Sequence, residues 1–409
     1  MTTDINKELE ELHMNPMFRI SLGSKELFHS NFLAFLWDCD KTHFLNMLNQ
    51  LLPGDKQIDA NLLLKKELTL HREKDNLDLC ICHTENEKEY IDIIIENKVK
   101  SIPYKEQLDK YQQTANKPKH QSTTPITYIL LSLASDFPNK DKIKEEWNIV
   151  SYKNLANAIE QNYIENGNLA DKLKQYVKDY IDFITKLSSL DILGNFEKEP
   201  FHNSETISAY HAQKLSDLYL KQRGSYFICS LMESLSKKEQ QYFLEVKVNF
   251  FTDSNWNSRR KAEKNTIIWL SSGMNRGKST ITICINPSNS KNIYEIQIEG
   301  DQYRHILNQE GLVAKRATAE THLNEMPFFA IDQLPEDLQT DNWQGRNTYN
   351  QYKPDCLYKY VNYQPKITGK QMQEYVIQDV VNILGYLQQC ESIVNTQLVP
   401  HKKSNSNHI

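Results

Sequence analysis

Three short β-type runs crowd into residues 62–98: LLLKKELTL (62–70), LDLCICH (77–83) and YIDIIIENK (90–98). The clusters between them, HREKDN and TENEKE, are polar and only of turn length. Neighbouring runs so closely joined have room only for antiparallel pairing, so a three-strand meander is expected. The second and third runs hold unbroken apolar stretches, Leu77 and Leu79 to Ile81 and then Ile93 to Ile95. A strand apolar on successive residues is covered on both faces, so this sheet needs helices on each side. Residues 24–38 (SKELFHSNFLAFLWD) supply one, with Leu27, Phe28, Phe32, Phe35 and Leu36 at helical spacing and Ser24 as N-cap. A second helix follows at 41–52. Pro103 opens a third, whose stripe is Tyr104, Leu108, Tyr111 and Ala115. A strand at 126–133 (ITYILLSL) and helices near 152–165 and 169–188 complete the first half. The expected core is α/β: helix, three-strand antiparallel meander, helix, strand.

A chain of 409 residues has room for roughly two or three domains. The Gly- and Pro-bearing polar stretch GNFEKEPFHNS (194–204) is the expected boundary. It divides the α/β domain at 1–195 from an α+β domain at 205–395, with a flexible tail at 396–409. The second domain shows helical patterning at 205–235, β-type runs at 242–252, 265–271, 279–285 and 292–299, and an amphipathic helix near 368–390. Within it, SSGMNRGKST (271–280) imitates a phosphate-binding loop. The spacing requires Gly at 272, which is Ser, and the stretch joins two β-type runs, not a strand and a helix. A hairpin turn is expected there, and no nucleotide cofactor.

The net charge of −5 means that any phosphate-binding surface must be local. Residues 97–120 offer one: Lys98, Lys100, Lys105, Lys110, Lys117 and Lys119 stand against Glu106 and Asp109. Lys100, Lys105 and Lys110 are the expected backbone contacts. Residues 349–366 interleave tyrosines with Lys353, Lys359 and Lys366, either a base-stacking surface or a Tyr-rich strand with solvated lysines. The seven cysteines are scattered and show neither a disulfide framework nor zinc-ligand spacing. Cys80 and Cys82, two apart, read as one face of a buried strand. The acidic start (MTTDINKELEELHMN) lacks a signal-peptide layout, and no apolar run reaches membrane-spanning length. A cytoplasmic protein with no membrane partner is expected.

The chemistry concentrates on the meander. Glu96 and Lys98 project from one face of the third strand. A five-residue loop at 85–89 sets Asp78 opposite Glu96, and a four-residue loop at 71–74 sets Glu67 opposite Asp78. Asp92 falls on the face of Glu96, nearer the loop, as a structural partner. Three carboxylates together repel unless a cation neutralises them. Oxygen ligands of this kind suit Mg²⁺ or Mn²⁺, with a lysine beside them to position a water and offset developing charge.

With ELFHSNFLAFL near the start, IIIENKVKS in the middle and QLDKYQ in the next helix, residues 15–185 resemble a bacterial branch of the PD-(D/E)XK nuclease superfamily. The resemblance implies a restriction-endonuclease-like core that hydrolyses phosphodiester bonds with Mg²⁺ or Mn²⁺, acting on nucleic acid, expected to be DNA. It implies Asp78 and Glu96 as metal ligands and Lys98 acting on the attacking water. Gln107 and Tyr111 match the accessory polar positions of the family helix, and Glu26 matches a further metal-site glutamate. Glu26 as a helix cap and His29 as a core residue are the competing assignments for that turn. The alternatives for the whole are a nuclease acting on RNA and an inactive nuclease-fold module that binds nucleic acid or a protein.

Overall fold

The computed structural model describes residues 5–23, 25–117, 125–201, 204–234 and 366–377, together with the backbone of the strands named below between 243 and 362. By contacts the chain divides into two compact units, Met1–Gly194 with Ser204–Cys229, and Asn195–Asn203 with Ser230–Ile409. Residues 204–229 thus count with the first unit and not with the second domain expected from 205.

The first unit is α/β, with a five-stranded mixed sheet in the order β1-β2-β3-β4-β5. Its strands are β1 (Glu67–Lys74), β2 (Leu77–Glu85), β3 (Lys88–Lys98), β4 (Thr127–Ser132) and β5 (Asn148–Ser151). β1, β2 and β3 form the expected antiparallel meander, and β4 and β5 add in parallel. The short β5 was not foreseen, and the first strand starts at Glu67 because 60–63 is a helical turn.

Both turns of the meander are tighter than expected. Asp75 and Asn76 both have positive φ, as do Asn86 and Glu87. Two consecutive left-handed residues are the signature of the two-residue turn whose twist matches that of a hairpin. Asn and Asp tolerate this region, but Glu does not do so freely. Replacing Glu87 (φ 62°) with Gly should therefore stabilise the fold by roughly 1 kcal/mol, read as a rise in denaturation midpoint at unchanged cooperativity.

The β2–β3 ladder also slips by one residue between Ile81↔Ile93 and Cys82↔Ile91. Asp92 is the extra residue of this bulge. Its carboxylate meets His83 Nδ1 at 2.6 Å, on the face away from Cys82, and Lys66 Nζ lies 3.7 Å off. Asp92 therefore does not share the face of Glu96. It is the structural partner anticipated, but for His83 behind the sheet.

The first unit also holds α1 (Ile5–Met14), α2 (Pro16–Ile20), α4 (Lys41–Leu51), α5 (Ala60–Leu63) and α7 (Lys140–Lys144). Helices cover both faces. On one lie α3 (Glu26–Cys39) and α8 (Tyr152–Ile159), joined to β3 through Asn97, which donates to Ser30 Oγ at 2.8 Å and accepts from Tyr152 Oη at 3.0 Å. On the other, α6 (Lys105–Ala115) packs Leu108 and Ala115 into a cluster with Cys80, Cys82, Ile91 and Ile94. The Ile93–Ile95 run is apolar throughout because the middle of β3 meets water on neither side. His29 is wholly buried, bonded at 3.0 Å to Tyr180 of α9 (Asp171–Ser189). It belongs to the core, and burial, with Lys100 nearby, lowers its pKa to about 3. Ser24, the expected cap of α3, lies outside the described residues, and Lys25 at that N-cap makes no side-chain cap bond.

α10 (Ser204–Ala212) and the start of α11 (Ser216–Ser234) are held to the same unit. Arg223 donates to Leu193 O at 2.7 Å, and Ser225 Oγ donates to Asp136 O at 2.8 Å.

The second unit carries a six-stranded antiparallel sheet, ordered β10-β11-β9-β8-β7-β6. Its strands are β6 (Phe243–Thr252), β7 (Lys264–Ser272), β8 (Thr280–Pro287), β9 (Asn292–Glu299), β10 (Asn350–Lys353) and β11 (Cys356–Asn362). β7 and β8 pair antiparallel, and the stretch 273–279 between them, expected as a hairpin turn, lies outside the described residues. In the same unit Gly369 N–H donates to Phe196 O, whose approach is so close that an added Cβ would lie 2.2 Å from it. The side chains of 349–362, residues 378–390 of the expected final helix and the tail lie outside the described residues. No helix among the described residues is long and apolar enough to cross a membrane.

Candidate active site

Asp78 is the second residue of β2, and Glu96 and Lys98 end β3. Below the bulge the register runs Cys80↔Ile94 and Leu79↔Ile95, which brings Asp78 level with Glu96 as expected. Two deviations cancel to give this result. The turn is two residues instead of five, and the bulge at Asp92 restores the position that the shorter turn removes. Asp78 Oδ2 then accepts from the backbone N–H of Asn97 at 2.8 Å, which fixes the carboxylate without using a side chain.

Glu96 is 1% exposed and Lys98 5%, and Lys98 Nζ lies 2.7 Å from Glu96 Oε1. The other oxygen, Glu96 Oε2, is buried with no hydrogen-bond partner. An unsatisfied buried carboxylate oxygen costs on the order of 1–3 kcal/mol or more, so it calls for an explanation. Burial pushes the Glu96 pKa up to about 7; Lys98 opposes the rise and Asp78 adds to it. Burial likewise raises Asp78, against the Asn97 bond and Lys98. For Lys98 burial acts downward, but Glu96, Glu26 and Asp78 together outweigh it and raise the pKa. Asp78 and Glu96 therefore resist ionising together beside a single lysine.

Glu26 lies at the start of α3 and faces this group, but its Oε1 accepts the N–H groups of Val99, Lys100 and Ser101 at 3.2, 3.2 and 2.9 Å. It clamps the turn after β3 while lending charge to the site. The oxygens of Glu26, Asp78 and Glu96 do not all lie within 4.8 Å of one another. From α6, Gln107 Nε2 donates to Tyr111 Oη at 2.6 Å. Burial, with Glu96 next, pushes the Tyr111 hydroxyl up to about 12. Tyr104, not foreseen, sits near enough to Lys98 to feel its charge.

Glu67 does not belong to the site. The two-residue turn at Asp75–Asn76 pairs it with Thr84, exposed and about 20 Å along the strand from Asp78. The lysine patch is also smaller than expected. Lys100 Nζ is spent on Lys214 O at 2.7 Å and Asp217 at 3.6 Å, holding α10–α11 to the core. Lys105 pairs with Asp109 at 2.6 Å and reaches Glu146 at 3.9 Å. Lys110 is exposed and makes no ion pair among the described residues. Lys119 lies outside them.

Asp78 and Glu96, whose Oε2 has no partner, are oxygen donors of the type that suits a hard divalent cation, with Lys98 beside them. A family model described as the PD-(D/E)XK nuclease superfamily matches residues 16–182. No curated protein and no solved structure matches the chain.

Proposed function

We propose, from the match of residues 16–182 to the PD-(D/E)XK nuclease superfamily, that the chain is a Mg²⁺- or Mn²⁺-dependent nuclease hydrolysing phosphodiester bonds in DNA. The observation that carries the reading is Glu96. Its buried, partnerless Oε2 beside the Asp78 carboxylate is a costly arrangement that a bound divalent cation would relieve. Asp78 and Glu96 would hold the ion, with Glu26 adding charge from behind. When bound, such an ion lowers the pKa of a coordinated water and shields phosphoryl oxygens. Lys98, pinned by Glu96, orients the attacking water and offsets charge growing on the phosphate. Gln107 and Tyr111 present a linked amide and hydroxyl near Glu96 and Asp78, suited to a non-bridging phosphate oxygen.

Incubating the full chain with linear, circular and single-stranded DNA, and with RNA, with and without Mg²⁺ or Mn²⁺, tests the reading. Metal-dependent loss of DNA is the expected result. Absence of cleavage under every condition would overturn it in favour of a nuclease-fold module that only binds.

Lys110 lies one residue from Tyr111 on α6 and is the lysine of the trio left free for a phosphate. Lys110→Glu should weaken DNA binding and reduce the salt slope of log K by about one, while Lys105→Glu should do less. Binding measured across a salt series distinguishes them, and equal effects would mean that the strand runs elsewhere.

A further inference from the structure

The bulge at Asp92 has a second effect on β3. On its far side odd-numbered residues share the face that even-numbered residues hold near Glu96, so Glu89 and Ile91 lie on the face of Cys80 and Cys82. On β1, His71 is directly opposite Cys80 and so takes the same face. Three strands thereby bring His71, Cys82 and Glu89 together, with His Nε2, Sγ and a carboxylate oxygen all within 4.8 Å of one another. They are the one such His/Cys/Asp/Glu group of three among the described residues. It lies about 13 Å along β2 from Asp78 and shares no residue with that site.

The donor types are mixed in a telling way. Imidazole, thiol and carboxylate are the ligands of Zn²⁺, and a thiol would be a poor choice for Mg²⁺. Cys80 Sγ lies 3.9 Å from Cys82 Sγ. Cys80 nevertheless falls outside the group whose ligand atoms all lie within 4.8 Å of one another, so it neighbours Cys82 without completing the donor set. His71 Nε2 and Glu89 Oε1 are 2.5 Å apart and would have to separate by just under about 1 Å to share an ion. They have the freedom, being about one-third exposed (32% and 30%), and they give the ion a way in. Both cysteines are fully buried against Ile91 and Ile94, which keeps water from the inner side. Lys74 holds Glu89 Oε2, leaving Oε1 for coordination and fixing the carboxylate from outside.

We propose that His71, Cys82 and Glu89 form a zinc-class metal site that ties the edge strand β1 to β2 and β3. Binding forms bonds from thiolate sulfur, imidazole nitrogen and carboxylate oxygen to the ion, and the thiol proton leaves to solvent. Three protein donors leave the fourth tetrahedral position to a water on the side where His71 and Glu89 are exposed.

Titrating Co²⁺ into the metal-free full chain reads this directly through thiolate-to-metal charge-transfer absorption. One equivalent should produce the band, Zn²⁺ should displace it, and excess Mg²⁺ should not. Cys82→Ser should abolish it, and His71→Gln should weaken binding by about 100-fold. Asp78→Asn should leave it intact, which separates this site from the proposed nuclease centre. Should Cys82→Ser fail to fold, His71→Gln, at a position about one-third exposed, still decides. No band in the wild type, or a band of wild-type affinity in either variant, overturns the proposal.

Discussion

Lys98→Ala should lower the rate of metal-dependent DNA cleavage by on the order of 10²–10³ while leaving divalent-metal affinity within a few-fold. The lysine is held at 2.7 Å by Glu96 and is almost wholly buried, so it enters the transition state already oriented. Removing it takes away preorganised positive charge where negative charge grows, without removing an oxygen ligand. Asp78→Asn should do the reverse. The amide oxygen can still accept from Asn97 N–H, so folding survives, but metal affinity falls with the lost charge. Calorimetric metal binding and single-turnover cleavage on both variants separate the two roles. A Lys98→Ala enzyme that cuts at the wild-type rate would leave that side chain a strand-end contact only, worth about a kilocalorie of stability.

The metal-free protein should lose stability as pH rises from about 4.5 through about 7, by on the order of 3 kcal/mol from Glu96 alone. The sign follows from the direction of the shift. The folded state holds the Glu96 proton more tightly than the unfolded chain, so stability is fully present below the unfolded value. It is lost as the buried carboxyl is forced to ionise. Glu96→Gln should flatten this part of the profile, because the amide carries no proton to lose. Urea midpoints of both proteins at pH 5 and pH 8 in a chelator give the difference, with other titrations cancelling between them. Millimolar Mg²⁺ should restore the wild type above pH 7 and leave the variant unmoved. Parallel profiles would mean that Glu96 ionises in the folded state as freely as in water.

Much of the first unit was written in local pattern. The apolar run ending in Glu96 and Lys98 and the helical stripes on either side are short-range signals that became strand and helices, while the polar connections became shorter turns than expected. Glu67 fails for a reason also present in the sequence. Asp75–Asn76 is a pair suited to two consecutive left-handed residues, and reading it as the turn sets Glu67 opposite Thr84. Lys100 and Lys105 counted as free charge because sequence separation hides their partners; Asp217 and Glu146 lie 117 and 41 residues away.

The sequence alone determined the α/β meander, the helices that must cover it, and the residue types that end β3, since these depend on periodicity and on neighbours in the chain. The tertiary structure decided which of those residues meet. The bulge at Asp92, held by buried His83 and Lys66, sets the register that brings Asp78 level with Glu96. It also turns Glu89 toward His71 and Cys82. A bulge costs one unpaired residue locally and is kept only because distant side chains satisfy it, so no local pattern could announce it. The same holds for the Asn97 backbone N–H on Asp78 and for the three N–H groups on Glu26, donors that every sequence possesses and only a fold can aim.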